Sequence, residues 1–392
     1  MDILIKALYG FGGATIVAML GILLVPVRRW MLKKLALVRS FFRARKQIDR
    51  MHQVVSGTGI WLAEPIIRPD VYDSFFADPT PTLTVANLKG GVGKTTAAVN
   101  LAAYFAAERD ERVLFIDLDF QGSASSMLLT REHRIPKKGE FSKASKIVAG
   151  EIKPRHLNDF ATPVRSDQMK EAWAIPAYYD LASVENRELV YWLSGKKVED
   201  VRYALSMILS EANKKKQFDR VIIDAPPRLT TATVQALCAS THVLIPTRLD
   251  SLSGEAVGSF VREIVDRREL LWPYLKFAGV SGQLVKANIS KWRDMRPDED
   301  FGHSELIDQL TVSERAGLAS ISSSLKRLRE EYGNKMPKLS LLPPETFIAD
   351  RSQIAESAGR SVAFFDIDGE LKAMFRKLGQ EVEIRMSRDE IY

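Results

Sequence analysis

An apolar run, LTVANL, passes directly into KGGVGKTT and then into the alanine-rich stretch TTAAVNLAAYFAAE. That order calls for a buried strand, a tight glycine turn and a helix whose first backbone N–H groups face one point. Such a helix start carries partial positive charge and unpaired donors, so it holds anions. The spacing follows the phosphate-loop pattern G-x-x-x-x-G-K-[ST] except at its first position, which Leu88 occupies. Gly90, Gly91 and Gly93 let the backbone bend tightly, so that successive N–H groups face the phosphates. Val92 and Thr96 complete the nucleotide-binding stretch. Lys94 is placed to reach the β- and γ-phosphates, and the Thr95 hydroxyl to ligate Mg²⁺. The expected ligands are a nucleotide's phosphates and Mg²⁺. A second lysine, Lys89, opens the loop where the pattern does not ask for one.

The rest of the body alternates strand and helix. RVLFIDLD, RVIIDAPP and HVLIPT are short, apolar, β-branched runs with helical stretches between them. AGVSGQLVKA and KLSLLPP continue the series, with the helical SSSLKRLREEYG before the latter. Such alternation predicts an α/β fold: a doubly wound, mostly parallel sheet of P-loop NTPase type with helices on both faces. Two strands end in acid. Asp117 and Asp119 close the second strand and Asp224 closes a later one. Open α/β sheets bind ligands at the carboxyl ends of their strands, so these carboxylates are expected to converge on the loop. Together they suit Mg²⁺ coordination, with Asp117 and Asp224 as metal candidates beside Thr95, and the positioning of a water.

The chain has 392 residues, 46% hydrophobic and 27% charged, which is a globular composition. A single cysteine, Cys238, excludes a disulfide framework, a four-cysteine zinc site and a cysteine-ligated iron–sulfur cluster within one chain. It lies in the apolar run TATVQALCAS and reads as a buried helix position. The net charge of +7 is concentrated at one end: residues 1–50 hold ten Lys/Arg and two Asp/Glu. A generally basic, nucleic-acid-coating body is not indicated.

Within that arm, Ala7 to Val27 runs 21 residues without a charge. As a helix it would be about 31 Å long, enough to cross a bilayer. The basic residues follow this run instead of preceding it, unlike a signal peptide. A single transmembrane helix is therefore expected before the α/β body. Nine Lys/Arg follow between Arg28 and Arg50, so the body should face the cytoplasm from a cell inner membrane. Met31, Leu35, Val38 and Phe42 recur at helical spacing among them, as in a helix lying along an anionic leaflet. The domain reading is a membrane anchor over 1–27, a basic helix and connector over 28–81, an ATPase domain over 82–380 and a tail over 381–392.

KGGVGKTT followed by VLFIDLDFQGSAS and VIIDAPP resembles the ParA/MinD family of deviant Walker ATPases. The resemblance extends over most of residues 82–380 through SKIVAGE, AWAIPAYYDLASVENREL, HVLIPTRLDSLSGEAV and LPPETFIADRSQIAESAGRSV. It implies that Lys89 is a signature lysine, crossing the interface of an ATP-sandwiched homodimer to touch the partner's phosphates. It further implies that Asp119 orients the attacking water and that Asp224 is the Walker B acid. Lys89, Lys94 and Asp119 would then be the catalytic set, and Asn288 with the Pro343–Pro344 turn the adenine pocket. The chain departs from the family in two places: Phe120 stands where proline is usual, and Arg228 where a small residue follows the two prolines. The stretch Ser290–Gly317 is longer than the family's usual length there, which suits either a partner-binding insertion or an idle surface loop.

The expected function is a membrane-anchored ATPase switch that dimerises on ATP–Mg²⁺, engages an unidentified protein partner and resets by slow hydrolysis. Two alternatives stand beside it. A membrane-anchored tyrosine kinase would carry a C-terminal tyrosine cluster, where this tail has Tyr392 alone, and a basic residue where Gln121 stands. A DNA-partitioning ATPase would use basic surfaces such as Lys214–Lys216, Lys291 with Arg293, or Lys326 with Arg327 and Arg329. DNA binding is not favoured for a chain with a permanent anchor.

Overall fold

Eight strands make one sheet: β1 (Thr82–Val85), β2 (Val113–Asp117), β3 (Thr162–Pro163), β4 (Ala172–Ile175), β5 (Arg220–Asp224), β6 (His242–Arg248), β7 (Lys276–Val285) and β8 (Ile348–Ala349). Their order across the sheet is β3-β4-β2-β5-β1-β6-β7-β8. All neighbours run parallel except the β3–β4 pair at one edge. The expected α/β architecture is present. The computed structural model describes residues 59–152, 157–164, 166–286, 307–336, 338–352, 354, 356, 362–365 and 369–387, with Met31, Lys34 and Arg45. The chain divides into two compact units, and the sheet lies in the one made of Pro65–Trp192 and Lys197–Tyr392. Of the other, Met1–Glu64 with Leu193–Lys196, the described residues include the single 3₁₀ turn Ile60–Leu62. Among the described residues no helix is long and apolar enough to cross a membrane, and Ala7–Val27 lies outside them.

The central strands are rich in apolar residues because both faces are covered. Every residue of β1, β2 and β5 is buried. Side chains alternate along a strand, so each contributes to two cores. Leu114, Ile116, Val221 and Ile223 turn to one face, where they meet Phe75 of α1 (Val71–Ala77), Ile147 of α4 (Lys143–Val148), Leu205 of α6 (Ala204–Lys214) and Ala232 of α7 (Thr231–Ala239). On the other face lies α2 (Lys94–Glu108), buried from Ala97 to Ala106. Its Phe105 ring sits 3.8 Å beneath the guanidinium carbon of Arg220 at the start of β5. Small residues let α2 approach the sheet closely. Helix α10 (Glu370–Ser387) packs against α2, where a Cβ on Gly379 would fall 2.3 Å from the Tyr104 ring.

Three readings of the sequence need correction. KLSLLPP forms a single bridge, Val280 to Leu341, because Pro343 and Pro344 have no N–H to continue a ladder. The eighth strand follows at Ile348. The connector loses its second half to the core: Tyr72 and Phe75 of α1 are 2% exposed. AWAI, expected only as an intervening segment, is the strand β4. Cys238 is wholly buried in α7, as expected.

Beyond β6 the chain forms α8 (Ser253–Leu271), and α9 (Val312–Tyr332) packs across it. The contact depends on glycine. A Cβ on Gly317 would lie 2.4 Å from the backbone carbon of Leu249 and 2.6 Å from the Asp250 nitrogen. Helix α9 starts with a capping box between Thr311 and Glu314. Glu314 also accepts from the Lys286 nitrogen, which ties the end of β7 to the start of α9. Since backbone atoms cannot turn aside, Gly317→Ala should cost about 1–3 kcal/mol of stability, read from the urea midpoint. A loss below a few tenths of a kcal/mol would show that the helix can lift freely.

Candidate nucleotide site

The phosphate loop spans the gap between β1 and α2. Gly91 and Gly93 have φ of 67° and 82°, a region closed to most side chains. A Cβ on Gly93 would also meet Gln283 at 3.2 Å, so that glycine is needed twice over. Gly90 needs neither: its φ is not positive and the space beside it is open. Asn87, buried at the end of β1, anchors the loop. Its amide donates to the Pro246 carbonyl at 2.8 Å and its oxygen accepts from the Lys89 nitrogen at 3.0 Å. The loop closes on Lys94, whose ammonium donates to the Lys89 carbonyl at 3.0 Å. Burial lowers the pKa of Lys94, while Asp224 and Asp119 oppose that shift.

The register of the sheet brings the acids together. Asp117 and Asp224 are direct partners across the β2–β5 ladder, and Val85 at the end of β1 pairs with Asp224. Asp117 has both oxygens hydrogen-bonded. It takes hydrogen bonds from the Asp119 nitrogen at 3.1 Å, the Ser125 nitrogen at 2.8 Å and the Ser125 hydroxyl at 2.6 Å. Asp224 differs: it is 1% exposed and both of its oxygens lack a hydrogen-bond partner. Thr95 lies near enough to temper its charge without satisfying those oxygens. Burial drives both carboxyls up; Asp117 reaches about 6, and Asp224 is raised further by the charge on Asp117.

An orphaned buried carboxylate beside a threonine hydroxyl fits a hard divalent cation, which takes oxygen ligands. Among the described residues no cluster of three or more His, Cys, Asp or Glu gathers to hold an ion alone. The donor set therefore fits Mg²⁺ that brings its remaining ligands as water and phosphate.

Asp119 lies just beyond β2, in a tight turn. Its carbonyl accepts from the Gly122 nitrogen at 2.8 Å and its carboxylate from the Gln121 nitrogen at 3.0 Å. Gly122, at φ 64°, allows that turn. A neighbouring acid escaped the sequence reading. Glu185, on α5 (Asp180–Leu193), is 7% exposed and accepts from the Thr230 hydroxyl and the Ala232 nitrogen, capping α7. Burial raises its pKa, the hydrogen bonds from Thr230 and Ala232 and the charge of Arg228 lower it, and the charge of Asp119 raises it.

Lys89 is held within its own chain. Its ammonium contacts the two Asp250 oxygens at 3.0 and 2.9 Å and the Ser253 hydroxyl at 3.3 Å. Burial pushes the Asp250 carboxyl up, but hydrogen bonds from Lys89 and Ser253 outweigh that and hold it below its usual value. Pro343 sits beside the middle of β7, where Leu342 donates to the Val280 carbonyl; the strand's carboxyl end instead meets Asp350, which donates to Val285. Asn288 lies outside the described residues. No local signal marks Asn87, Ser125 or Glu185, since each acts through a contact that folding creates.

Comparison with known proteins agrees with this geometry. A model of the AAA domain family matches residues 80–276, half of the chain, and the chain belongs to that family of P-loop proteins. The chromosome-partitioning ATPase Soj of Thermus thermophilus is 34% identical over 200 residues, covering 50% of this chain and 67% of that protein. An uncharacterized Pseudomonas putida protein is 32% identical over 220 residues, covering 56% and 76%. Among solved structures, the ATP complex of a Cyanothece McdA variant superposes with a TM-score of 0.55 at 16% identity, covering 80% of this chain and 98% of that one. The ParA of pNOB8 bound to nonspecific DNA has a TM-score of 0.51 at 21% identity, covering 79% and 100%. These likenesses establish a shared fold.

The acid pair carries a pH signature. With folded pKa values above the ordinary 3.8, the folded chain binds more protons than the unfolded one between pH 4 and about 6 or higher. Stability without nucleotide is therefore expected to fall as pH rises through that window. Asp224→Asn removes one of the two charges and should gain about 1–3 kcal/mol over wild type at pH 7, the gain shrinking toward pH 4. Urea titrations across that range check it; a pH-independent difference would rule out the pair as its source.

Proposed function

We propose that this chain is an ATPase switch, anchored in the cell membrane by its N-terminal helix, which closes into a homodimer around ATP–Mg²⁺, engages a protein partner and resets by hydrolysis. The observation that supports it most is the Lys94 loop facing Asp224, a buried carboxylate with two unpartnered oxygens. Loop N–H groups and Lys94 would take the phosphates, with Thr95 and Asp224 turned toward the metal ion. Bound Mg²⁺ supplies charge neutralisation across the phosphate oxygens. Asp119, outside the ladder and half-buried, would orient the attacking water. Lys89 would leave Asp250 for the phosphates held by the partner, which links nucleotide state to assembly. Only a ligand that distinguishes the two states can drive such a switch, and a triphosphate shared across the interface does so.

The second reading, movement on DNA, draws support from the name of the Soj relative and from the pNOB8 ParA complex. One candidate basic surface argues less for it. Lys214 and Lys216 of one candidate basic cluster are paired with Glu211 and Asp78.

Lys89→Ala should bind ATP as a monomer and fail to dimerise. Asp119→Ala should dimerise in ATP while turnover drops about 100-fold or more. Light scattering and phosphate release on the full chain check both, and a normal ATP-dependent dimer from Lys89→Ala would reject the trans role. Deleting residues 7–27 should move the chain from the membrane to the soluble fraction; retention in the membrane would reject the anchor. Salt-sensitive DNA binding in ATP would favour the second reading.

A further inference from the structure

Phe120 and Arg228, far apart in the sequence, meet in space. The guanidinium carbon of Arg228 lies over the Phe120 ring, 6.0 Å from its centre. Neither residue is loosely placed. Phe120 follows Asp119 directly and packs against the core cluster on one face of the sheet. Arg228 has its carbonyl fixed by the Thr230 nitrogen at 3.0 Å and the Thr233 hydroxyl at 2.6 Å, ahead of α7. The backbone is pinned and the head is exposed.

Its position matters for the chemistry. Arg228 stands four residues beyond Asp224, on the loop that leaves β5 between β1 and β2. Those two neighbours lead into the loops that carry Lys94 and Asp119. The other cations of the site are engaged: Lys94 with the Lys89 carbonyl, Lys89 with Asp250 and Ser253. Among the described residues no hydrogen bond or ion pair engages the Arg228 guanidinium, and buried Glu185 feels its charge without direct contact. A planar, permanently charged fork is the group best suited to grip phosphate oxygens in pairs. An aromatic shelf holds such a head in place without consuming its donors.

We propose that Arg228 is a γ-phosphate-reading cation supplied in cis, carried on Phe120 toward the phosphate site. The inference rests on the ATPase reading above. It predicts that Arg228 distinguishes ATP from ADP within one protomer, before any partner contributes.

The test is calorimetric titration of ATPγS and ADP, with Mg²⁺, into the full chain in a Lys89→Ala background, where dimerisation does not feed back on affinity. Arg228→Ala should weaken ATPγS about tenfold or more, the scale of a lost hydrogen bond to a charged group, and leave ADP within about twofold. Arg228→Lys should restore part of the loss, and Phe120→Ala should reproduce part of it. Unchanged ADP affinity also reports an intact fold. ATPγS affinity that stays put, or that moves in step with ADP, would overturn the inference and leave Arg228 as packing for Phe120. A parent protein that binds neither nucleotide, or that still dimerises in ATP, would instead overturn the functional reading.

Discussion

Two carboxylates held side by side in a dry sheet make the tension around which this molecule is organised. Asp117 and Asp224 are register partners on adjacent parallel strands, both buried, and each penalises ionisation of the other. Desolvated like charges are tolerated in folded proteins where something else is gained. Here the two are treated unequally. Asp117 is satisfied by Ser125 and the Asp119 nitrogen, which fixes the turn carrying Asp119. Asp224 is left with bare oxygens facing Thr95 and Lys94. One acid is tied into the architecture; the other is left without a hydrogen-bond partner.

The same asymmetry runs through the cations. Lys94 is drawn into the loop by the Lys89 carbonyl, and its ammonium lies near Asp224 and Asp119. Lys89 points elsewhere, to Asp250 at the foot of α8, where the backbone is pressed by Gly317 of α9. A lysine with a local carboxylate partner has a resting place to leave. That gives the proposed dimer a physical meaning: the partner's phosphates must outcompete an ion pair whose side chains are 28% and 39% exposed, a modest contest in water. Helix α9, with its Thr311–Glu314 capping box, packs against the backbone of that acid through Gly317.

Much of the site was legible beforehand because its parts are local. A glycine turn before a helix, and acids ending apolar runs, are patterns of neighbouring residues, and their meaning survives any particular packing. The strands β1, β2, β5, β6 and β7 were legible for the same reason. What was missed was either short or relational. AWAI has too few residues to announce itself as β4, and KLSLLPP has strand composition but two prolines that stop the ladder. Glu185 sits in a helix among ordinary charged positions, and nothing nearby in sequence says that it will cap α7.

By itself, the amino-acid sequence determined the fold class, the anion-binding turn and the identity of the strand-end acids, since each follows from periodicity or from backbone geometry over fewer than about ten residues. Only the tertiary structure decided which acid would be satisfied and which left bare, that Lys89 would rest on Asp250, and that Phe120 and Arg228 would share one contact. Those outcomes depend on strand order and helix approach, which place residues more than a hundred positions apart within a hydrogen bond's length, as with Lys89 and Asp250. Chain entropy keeps such pairs apart in the unfolded state, and only the assembled core makes up for that cost.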